Sequence, residues 1–283
     1  MRISSFLLGG VATLFSASIA LAADAQLSQI TDWTQMPMWG DLALGVGVHQ
    51  SIDNGFDTVP GDLNAYGNFL FGEGRFGGLL SPNLYVQADF KGEHTNDHDS
   101  FAADVGNNFG AAAHIGMPLG GGNYLGLMGS IGSAMDSNPW KTGAVEGVVN
   151  LSNSLRLFGQ IGYQDDTENN SAAYIHANLQ YLLNDNLMLS GNGGYVRPSS
   201  DEGFENVFRY GAKVEYALTD SFSSWVEWQG QHRTEANSSS DYQDNNRVMV
   251  GVTFRLNNGG SLFNASPLHD LNWKYGENNF FEY

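Results

Sequence analysis

The chain has 283 residues, a formal net charge of −18 and no cysteine, and only 15% of its residues are charged. Its mean hydropathy of −0.25 is too low for a bundle of membrane helices, whereas 36 glycines and 12% aromatic residues are unusual in a water-soluble domain. The acidic balance argues against nucleic acid as a partner, because its phosphates would be repelled, and without cysteine no disulfide stabilises the fold.

The first residues have the pattern of a secretory signal peptide. Arg2 precedes a mostly apolar run over 6–15, and the sequence ALA at 20–22 matches the small-x-small pattern that signal peptidase cleaves. The apolar run is short for a spanning helix, which needs roughly 18 apolar residues. We therefore predict a cleaved signal peptide over 1–22 and, after it, an N-terminal periplasmic segment over 23–40.

The sequence then alternates between apolar and polar residues with a period of two, which is the signature of β-strands. In the stretch 171–183, Ile175 and Leu179 share one face while His176 and Asn178 share the other. The same alternation predicts twelve strands, centred on 41–50, 62–71, 83–94, 107–117, 123–133, 141–150, 154–165, 171–183, 186–197, 205–218, 221–232 and 246–256.

The connections between the predicted strands are alternately short and long. The short ones, of two to six residues, lie near Ser81, Gly121, Asn153, Asp185 and Asp220, and the others are longer and polar. This arrangement is typical of an up-and-down meander with all its tight turns at one end. The glycine-rich stretch GEGRFGGLL either extends the second strand or forms a loop.

A flat meander would leave two unpaired edges, so we expect the strands to close into a barrel. Twelve strands at ~4.8 Å spacing and ~40° tilt enclose a barrel roughly 24 Å across. Small apolar residues and glycines would not fill that interior, so we place the apolar faces in lipid and the polar faces around a lumen on the order of 10 Å wide. The predicted fold class is all-β: a closed up-and-down antiparallel transmembrane β-barrel of about 12 strands over 41–256.

The distribution of basic residues agrees with this assignment of the two faces. The predicted lipid faces have no lysine or arginine in their interiors, where each would cost ~2–4 kcal/mol at the midplane. The polar faces carry the candidate functional residues. We predict that the pore is lined by Asp89, Lys91, His114, Glu146, Arg156, His176, Arg209, Lys213, Glu215, Glu227, Arg247 and Arg255.

The basic candidates gather late in the chain. Arg209 and Lys213 belong to the tenth predicted strand, Arg233 ends the eleventh, and Arg247 and Arg255 belong to the twelfth. Because neighbouring strands lie side by side, these residues predict one basic wall, diluted by the glutamates of the same strands. Such a wall would create a transverse field across the lumen.

Two further patterns are weaker indications of chemistry. The stretch HTNDHD at 94–99 has two imidazoles and two carboxylates that could hold a divalent ion, but a solvated loop accounts for it without any fixed ligand geometry. His176 and Ser190 lie on neighbouring predicted strands, as a base and a nucleophile would, yet nothing in the sequence establishes their register. We therefore predict no catalytic residue, no metal site and no cofactor.

A signal peptide, alternating strands of ~10 residues, short turns and long polar loops together resemble the porin-like β-barrels of Gram-negative outer membranes. RVMVGVTFRL at 247–256 resembles the terminal strand of that class, although 257–283 follow, as a periplasmic tail or as a segment folded into the barrel mouth. The resemblance implies an outer-membrane location, contact with outer-membrane lipid, and passive diffusion of small hydrophilic solutes or ions. The alternatives are a plugged structural or adhesin barrel and a membrane-embedded hydrolase.

Overall fold

A computed structural model of the chain describes nine stretches, which are 32–36, 38–54, 64–98, 105–133, 139–166, 171–198, 204–235, 242–256 and 262–269. The predicted signal peptide over 1–22 and much of the long polar connections lie outside these ranges. Within them, no helix is long and apolar enough to cross a membrane.

Twelve strands make up most of the described residues. They are β1 Trp39–Asn54, β2 Asn64–Ser81, β3 Leu84–His98, β4 Val105–Gly120, β5 Asn123–Ser133, β6 Pro139–Asn150, β7 Leu155–Asp166, β8 Ser171–Asn184, β9 Leu187–Pro198, β10 Phe204–Thr219, β11 Phe222–Glu235 and β12 Tyr242–Leu256. Each strand pairs antiparallel with the next, and β12 pairs with β1, so the sheet is a closed barrel. The predicted fold class is confirmed, and GEGRFGGLL is part of β2.

Tight turns connect alternate strands at one end of the barrel, as the sequence predicts. They lie at 82–83, 121–122, 151–154, 185–186 and 220–221. Gly120, at the end of β4, and the turn residues Gly121 and Gly122 have φ angles of 83°, 61° and 74°. Residues with a Cβ rarely adopt this left-handed conformation, which explains why glycine occupies all three positions.

The strand alternation separates an apolar outer face from the interior. In β8, Ile175 is 50% exposed whereas its neighbour His176 is 2% exposed, and in β12 Val250 and Phe254 are again about half exposed. A closed barrel with an apolar outer face satisfies its backbone amides internally and presents hydrocarbon to its surroundings. This is the arrangement that a bilayer core requires.

The interior is more crowded than the water-filled lumen expected from the sequence. Large inward side chains occupy it and are 9% exposed or less, namely Phe69, Phe71, Trp140, Tyr174 and Trp225. Glycines on neighbouring strands make room for them, since a Cβ added to Gly251 would collide with the indole ring of Trp225. The alternation pattern identifies which residues face inward but not how far their side chains reach across the barrel.

The described part of the C-terminal tail, 262–269, lies inside the barrel near the tight turns. Its first two residues, Leu262 and Phe263, pack in one buried cluster with three residues beside the turns, Leu182, Met188 and Ala217. Of the two placements left open by the sequence, these eight residues take the second, within the barrel mouth.

Residues 32–36, which precede β1, pack at the same end of the barrel. Trp33 begins a short 3₁₀ turn, Trp33–Gln35, and is fully buried. Its indole N–H donates to the carbonyl of Gly122 at 2.9 Å, and its ring lies 5.0 Å from Tyr85 and 5.8 Å from Tyr124 between centroids. Leu268 of the tail belongs to the same aromatic cluster. Residues 32–36 and 262–269 therefore both pack into the turn end of the barrel.

Candidate functional site in the barrel lumen

The structure places all twelve predicted pore-lining residues on the inner face of the barrel. Lys91 and Lys213 are partly exposed. The other ten are buried: Asp89, His114, Glu146, Arg156, His176, Arg209, Glu215, Glu227, Arg247 and Arg255. Most of the surface of these ten residues is therefore covered by other protein atoms. That they line an open pore stays a prediction.

A fully buried imidazole joins two carboxylates on the side of β3 to β6. His114 Nε2 lies 3.0 Å from Asp89 Oδ2, and its Nδ1 lies 2.9 Å from both oxygens of Glu146. The Tyr124 hydroxyl and the Gln160 amide also donate to Glu146, at 3.2 and 3.1 Å. Because carboxylates only accept, both ring nitrogens must donate, which makes His114 an imidazolium between two anions.

The same geometry does not make a metal site. Asp89 and Glu146 approach opposite edges of the His114 ring, so the three residues do not converge on one point. Among the described residues, no group of three or more His, Asp or Glu side chains could hold a metal ion. The side chains of HTNDHD are described only in part, so that stretch remains untested.

Three of the five basic residues in the predicted wall, Lys213, Arg247 and Arg255, form ion pairs with glutamates. Glu215 accepts from Lys213 Nζ at 3.0 Å, from the Arg255 guanidinium and from the Ser223 hydroxyl at 2.6 Å. On the same side of the barrel, Arg247 forms an ion pair that reaches β3.

Glu93 is the partner of Arg247, and its carboxylate lies 2.7 Å from the guanidinium. The Arg247 guanidinium carbon also lies 3.9 Å from the centre of the Phe69 ring. Sequence reasoning missed Glu93, because only barrel closure brings β12 within reach of β3. These carboxylates neutralise much of the transverse field that a bare basic wall would produce.

Arg75 is a further lumen residue that the sequence analysis did not single out. Its guanidinium binds both carboxylate oxygens of Asp41, at 2.9 and 2.6 Å. Its remaining nitrogen, Nη1, donates to the backbone carbonyls of Ser266 and Leu268 at 3.2 and 3.3 Å. Arg75 lies in the glycine-rich stretch whose structure was ambiguous, so its inward orientation had no clear signal.

Two glutamines hold the tail in the same way. Gln87 donates to the Leu268 carbonyl at 2.9 Å, and Gln160 donates to the His269 carbonyl at 3.0 Å. These bonds go to backbone carbonyls of 262–269. Side chains of the segment add further contacts, among them the Tyr85–Ser266 hydrogen bond and the His269 ring 5.7 Å from that of Phe158. The apolar side chains of the segment supply the rest of its burial.

Arg156 is the most deeply buried basic residue that contacts the tail, at 1% exposure. Its Nε and Nη2 both donate to Oε1 of Gln180, at 2.9 and 2.6 Å, and its Nη1 donates to the Phe263 carbonyl at 3.0 Å. The ring of Phe263 is centred 4.4 Å from the guanidinium carbon. The sequence predicted that Arg156 faces the lumen, but it did not predict which residues Arg156 contacts.

A small cavity of about 110 Å³ lies in the lumen beside the tail. Its lining includes Lys91, Arg156, Lys213 and Glu227 from the wall and Ser266 from the tail. The lumen is thus far narrower here than the bore expected from strand number alone.

The candidate base and nucleophile of the hydrolase alternative are not brought together. His176 on β8 lies opposite Gly194 on β9, whereas Ser190 lies opposite Gln180. The two positions are four residues apart along the strand pair, or ~13 Å. This separation is far beyond hydrogen-bond reach.

No protein-family model and no curated protein matches the chain. Solved structures match its fold. The translocator domain of the autotransporter NalP from Neisseria meningitidis has 12% identity and a TM-score of 0.51, over 89% of this chain and 98% of that one. An outer-membrane channel from Pseudomonas putida F1 has 11% identity and a TM-score of 0.57, over 81% of this chain and 100% of that one. The NanC porin has 11% identity and a TM-score of 0.52, over 75% of this chain and 100% of that one. This chain therefore shares the fold of outer-membrane porin-like β-barrels.

Proposed function

We propose that the protein is an outer-membrane channel for passive diffusion of small hydrophilic solutes, and that its C-terminal segment holds it closed. The observation that carries this proposal is the division of the barrel wall into an apolar outer face and an inner face rich in charged and amide side chains. A barrel that only anchored the chain would not need so many buried charges. The channel and porin among the similar folds support the same proposal.

The contacts of the tail are compatible with its release. Several of its polar contacts with the barrel wall are bonds from side chains to backbone carbonyls, which water can replace on both sides. The larger loss on release is apolar, about 1.5–3 kcal/mol for each fully buried large side chain. Leu262, Phe263 and Leu268 are the three such residues among 262–269.

A plugged structural or adhesin barrel is the second candidate function. The specific observation in its favour is the tail itself, which occupies the lumen beside a cavity of only about 110 Å³. A surface anchor requires a stable barrel and no passage for solutes. The two candidates differ in whether the tail ever leaves its site.

Conductance across a planar lipid bilayer separates the two candidates. We compare the full-length wild type with Leu268→Arg, which places a cation in an apolar site next to Arg75 and should expel the tail. The channel proposal expects conductance steps that are larger or more frequent in Leu268→Arg than in the wild type.

Asn153→Arg is the matched control, because it adds the same charge at an exposed residue of the tight turn 151–154. Heat-modifiable migration on gels checks that each variant is folded. If folded Leu268→Arg shows no conductance steps, the channel proposal fails and the structural barrel is favoured.

A further inference from the structure

Arg156 differs from the other arginines whose lumen contacts are described above. Arg75 is paired with Asp41, Arg247 with Glu93, and Arg255 with a glutamate of β10. Among the described residues, no carboxylate forms an ion pair with Arg156, which has only the amide oxygen of a glutamine and a backbone carbonyl. A buried cation without a counter-ion is costly and rare. Such a group is therefore a candidate for binding an anion.

The tail presents two features to this cation, and both come from Phe263. Its carbonyl oxygen accepts from Nη1 of Arg156, and its phenyl ring lies against the guanidinium plane. The ring also packs in the buried apolar cluster that contains Leu182, Met188 and Ala217. Phe263 thus combines an oxygen acceptor with a flat apolar ring, in the way that a small aromatic ligand would.

We propose that Arg156, Gln180 and the apolar pocket around Leu182 and Met188 form a binding site for aromatic carboxylates, which Phe263 occupies as a built-in competitor. The ligand ring takes the place of the Phe263 ring. A carboxylate oxygen replaces the carbonyl on Nη1, and the charged acceptor makes the stronger hydrogen bond. The inference rests on the proposed function in one respect: these ligands would be the solutes that the lumen retains.

The geometry disfavours other anion classes. Two of the guanidinium nitrogens are already used by Gln180, so the fork that would grip a phosphate on two sides is not free. The cavity lining has five basic side chains and four carboxylates, so its net excess of one positive charge matches a singly charged anion better than one of higher charge. A singly charged ligand that gains most of its remaining affinity from a ring fits these restrictions.

Benzoate is the probe, and the full-length variant Phe263→Ala is the test protein, because it keeps the chain complete but removes the competing ring. Isothermal titration calorimetry in detergent measures binding. Benzamide has the same ring without the charge and corrects for uptake of aromatic molecules by the micelle. We expect the affinity of Phe263→Ala for benzoate to be at least roughly tenfold higher than that of the wild type. Phe263→Ala should also bind benzoate more tightly than it binds benzamide.

The contribution of Arg156 is measured in the same background. Adding Arg156→Gln to Phe263→Ala should weaken benzoate binding by roughly tenfold or more, the usual effect of losing a charged hydrogen bond. Lys141→Gln is the matched control: it also removes one positive charge, but from the outer face, where Lys141 pairs with Asp165. This control should leave benzoate binding unchanged.

Heat-modifiable migration confirms that each protein is folded, and Phe263→Leu replaces Phe263→Ala if the latter is not. Equal binding with and without Arg156, or no binding to the folded Phe263 variant, overturns the proposal. Binding is an equilibrium measurement and does not need conduction. Benzoate binding without conductance in any variant retains this site and rejects the channel, whereas conductance without benzoate binding retains the channel and rejects this site.

Discussion

At the scale of single residues, buried charges in the barrel are organised in small groups. Asp89, His114 and Glu146 form the most completely buried of these, with side chains that have no exposed surface. Two carboxylates this close to one ring are compatible only because the imidazolium lies between them. Removing the cation would leave two anions in a medium of low dielectric, where their repulsion is weakly screened.

We predict that His114→Leu destabilises the barrel by about 3–5 kcal/mol, the usual cost of removing one partner of a buried ion pair. The temperature at which the folded band converts to the unfolded band on gels reports this loss. His94→Leu is the control, since His94 is exposed and contacts only the exposed Asn107 among its described hydrogen bonds.

A triple variant tests the explanation. Adding Asp89→Asn and Glu146→Gln to His114→Leu removes both negative charges, so it should recover part of the lost stability. If the triple variant is no more stable than His114→Leu, charge repulsion is not the cause of the loss.

At the scale of the strand, the period of two decides which side chains meet lipid. Val250 in β12 lies between Val46 of β1 and Val226 of β11, well away from both ends of its strand. Leu157 on β7 faces outward opposite Leu179 of β8. Both are therefore surrounded by outward-facing apolar side chains.

We predict that Val250→Arg and Leu157→Arg each reduce the stability of the inserted barrel, by up to ~2–4 kcal/mol for a charge at the bilayer midplane. Refolding into lipid vesicles, followed by heat-modifiable migration, measures the folded fraction. Asn153→Arg, in a tight turn, should fold like the wild type. Wild-type migration of both strand variants would show that the outward face is not in hydrocarbon.

At the scale of the whole molecule, closure depends on strands from opposite ends of the chain. β1 and β12 pair over their full length, with Leu44 opposite Val252. Directly opposite residues in an antiparallel pair have Cα atoms about 4.5–5.5 Å apart, within the usual range for a disulfide. The chain contains no cysteine, so an engineered pair would be the only source of a bridge.

We predict that Leu44→Cys combined with Val252→Cys forms a disulfide in the folded protein under mild oxidation. The bridge joins distant parts of the chain, so it changes the mobility of the denatured protein on non-reducing gels. Leu44→Cys with Leu127→Cys is the control, because Leu127 is on β5 and has no partner in β1. A bridge in the control alone, or in neither, would contradict closure through β1 and β12.

Local patterns in the sequence were enough to predict the twelve strands, their order of connection and their two faces. These features follow from local patterns: a period of two along each strand, and turn residues at regular intervals. The inward position of Arg156, Arg247 and the other predicted lumen residues followed from the same parity. The predicted signal peptide lies outside the described residues and stays a prediction.

Which inward residues meet depends on how the barrel closes. Arg247 pairs with Glu93 because the closed barrel brings β12 near β3, and alternation along one strand has no information about that approach. The packing of 262–269 in the lumen was equally unpredictable from the sequence. These residues have no strand pattern, and their burial depends on the shape of the barrel interior. Arg156 meets Phe263 only after the barrel has closed and the tail has packed inside it.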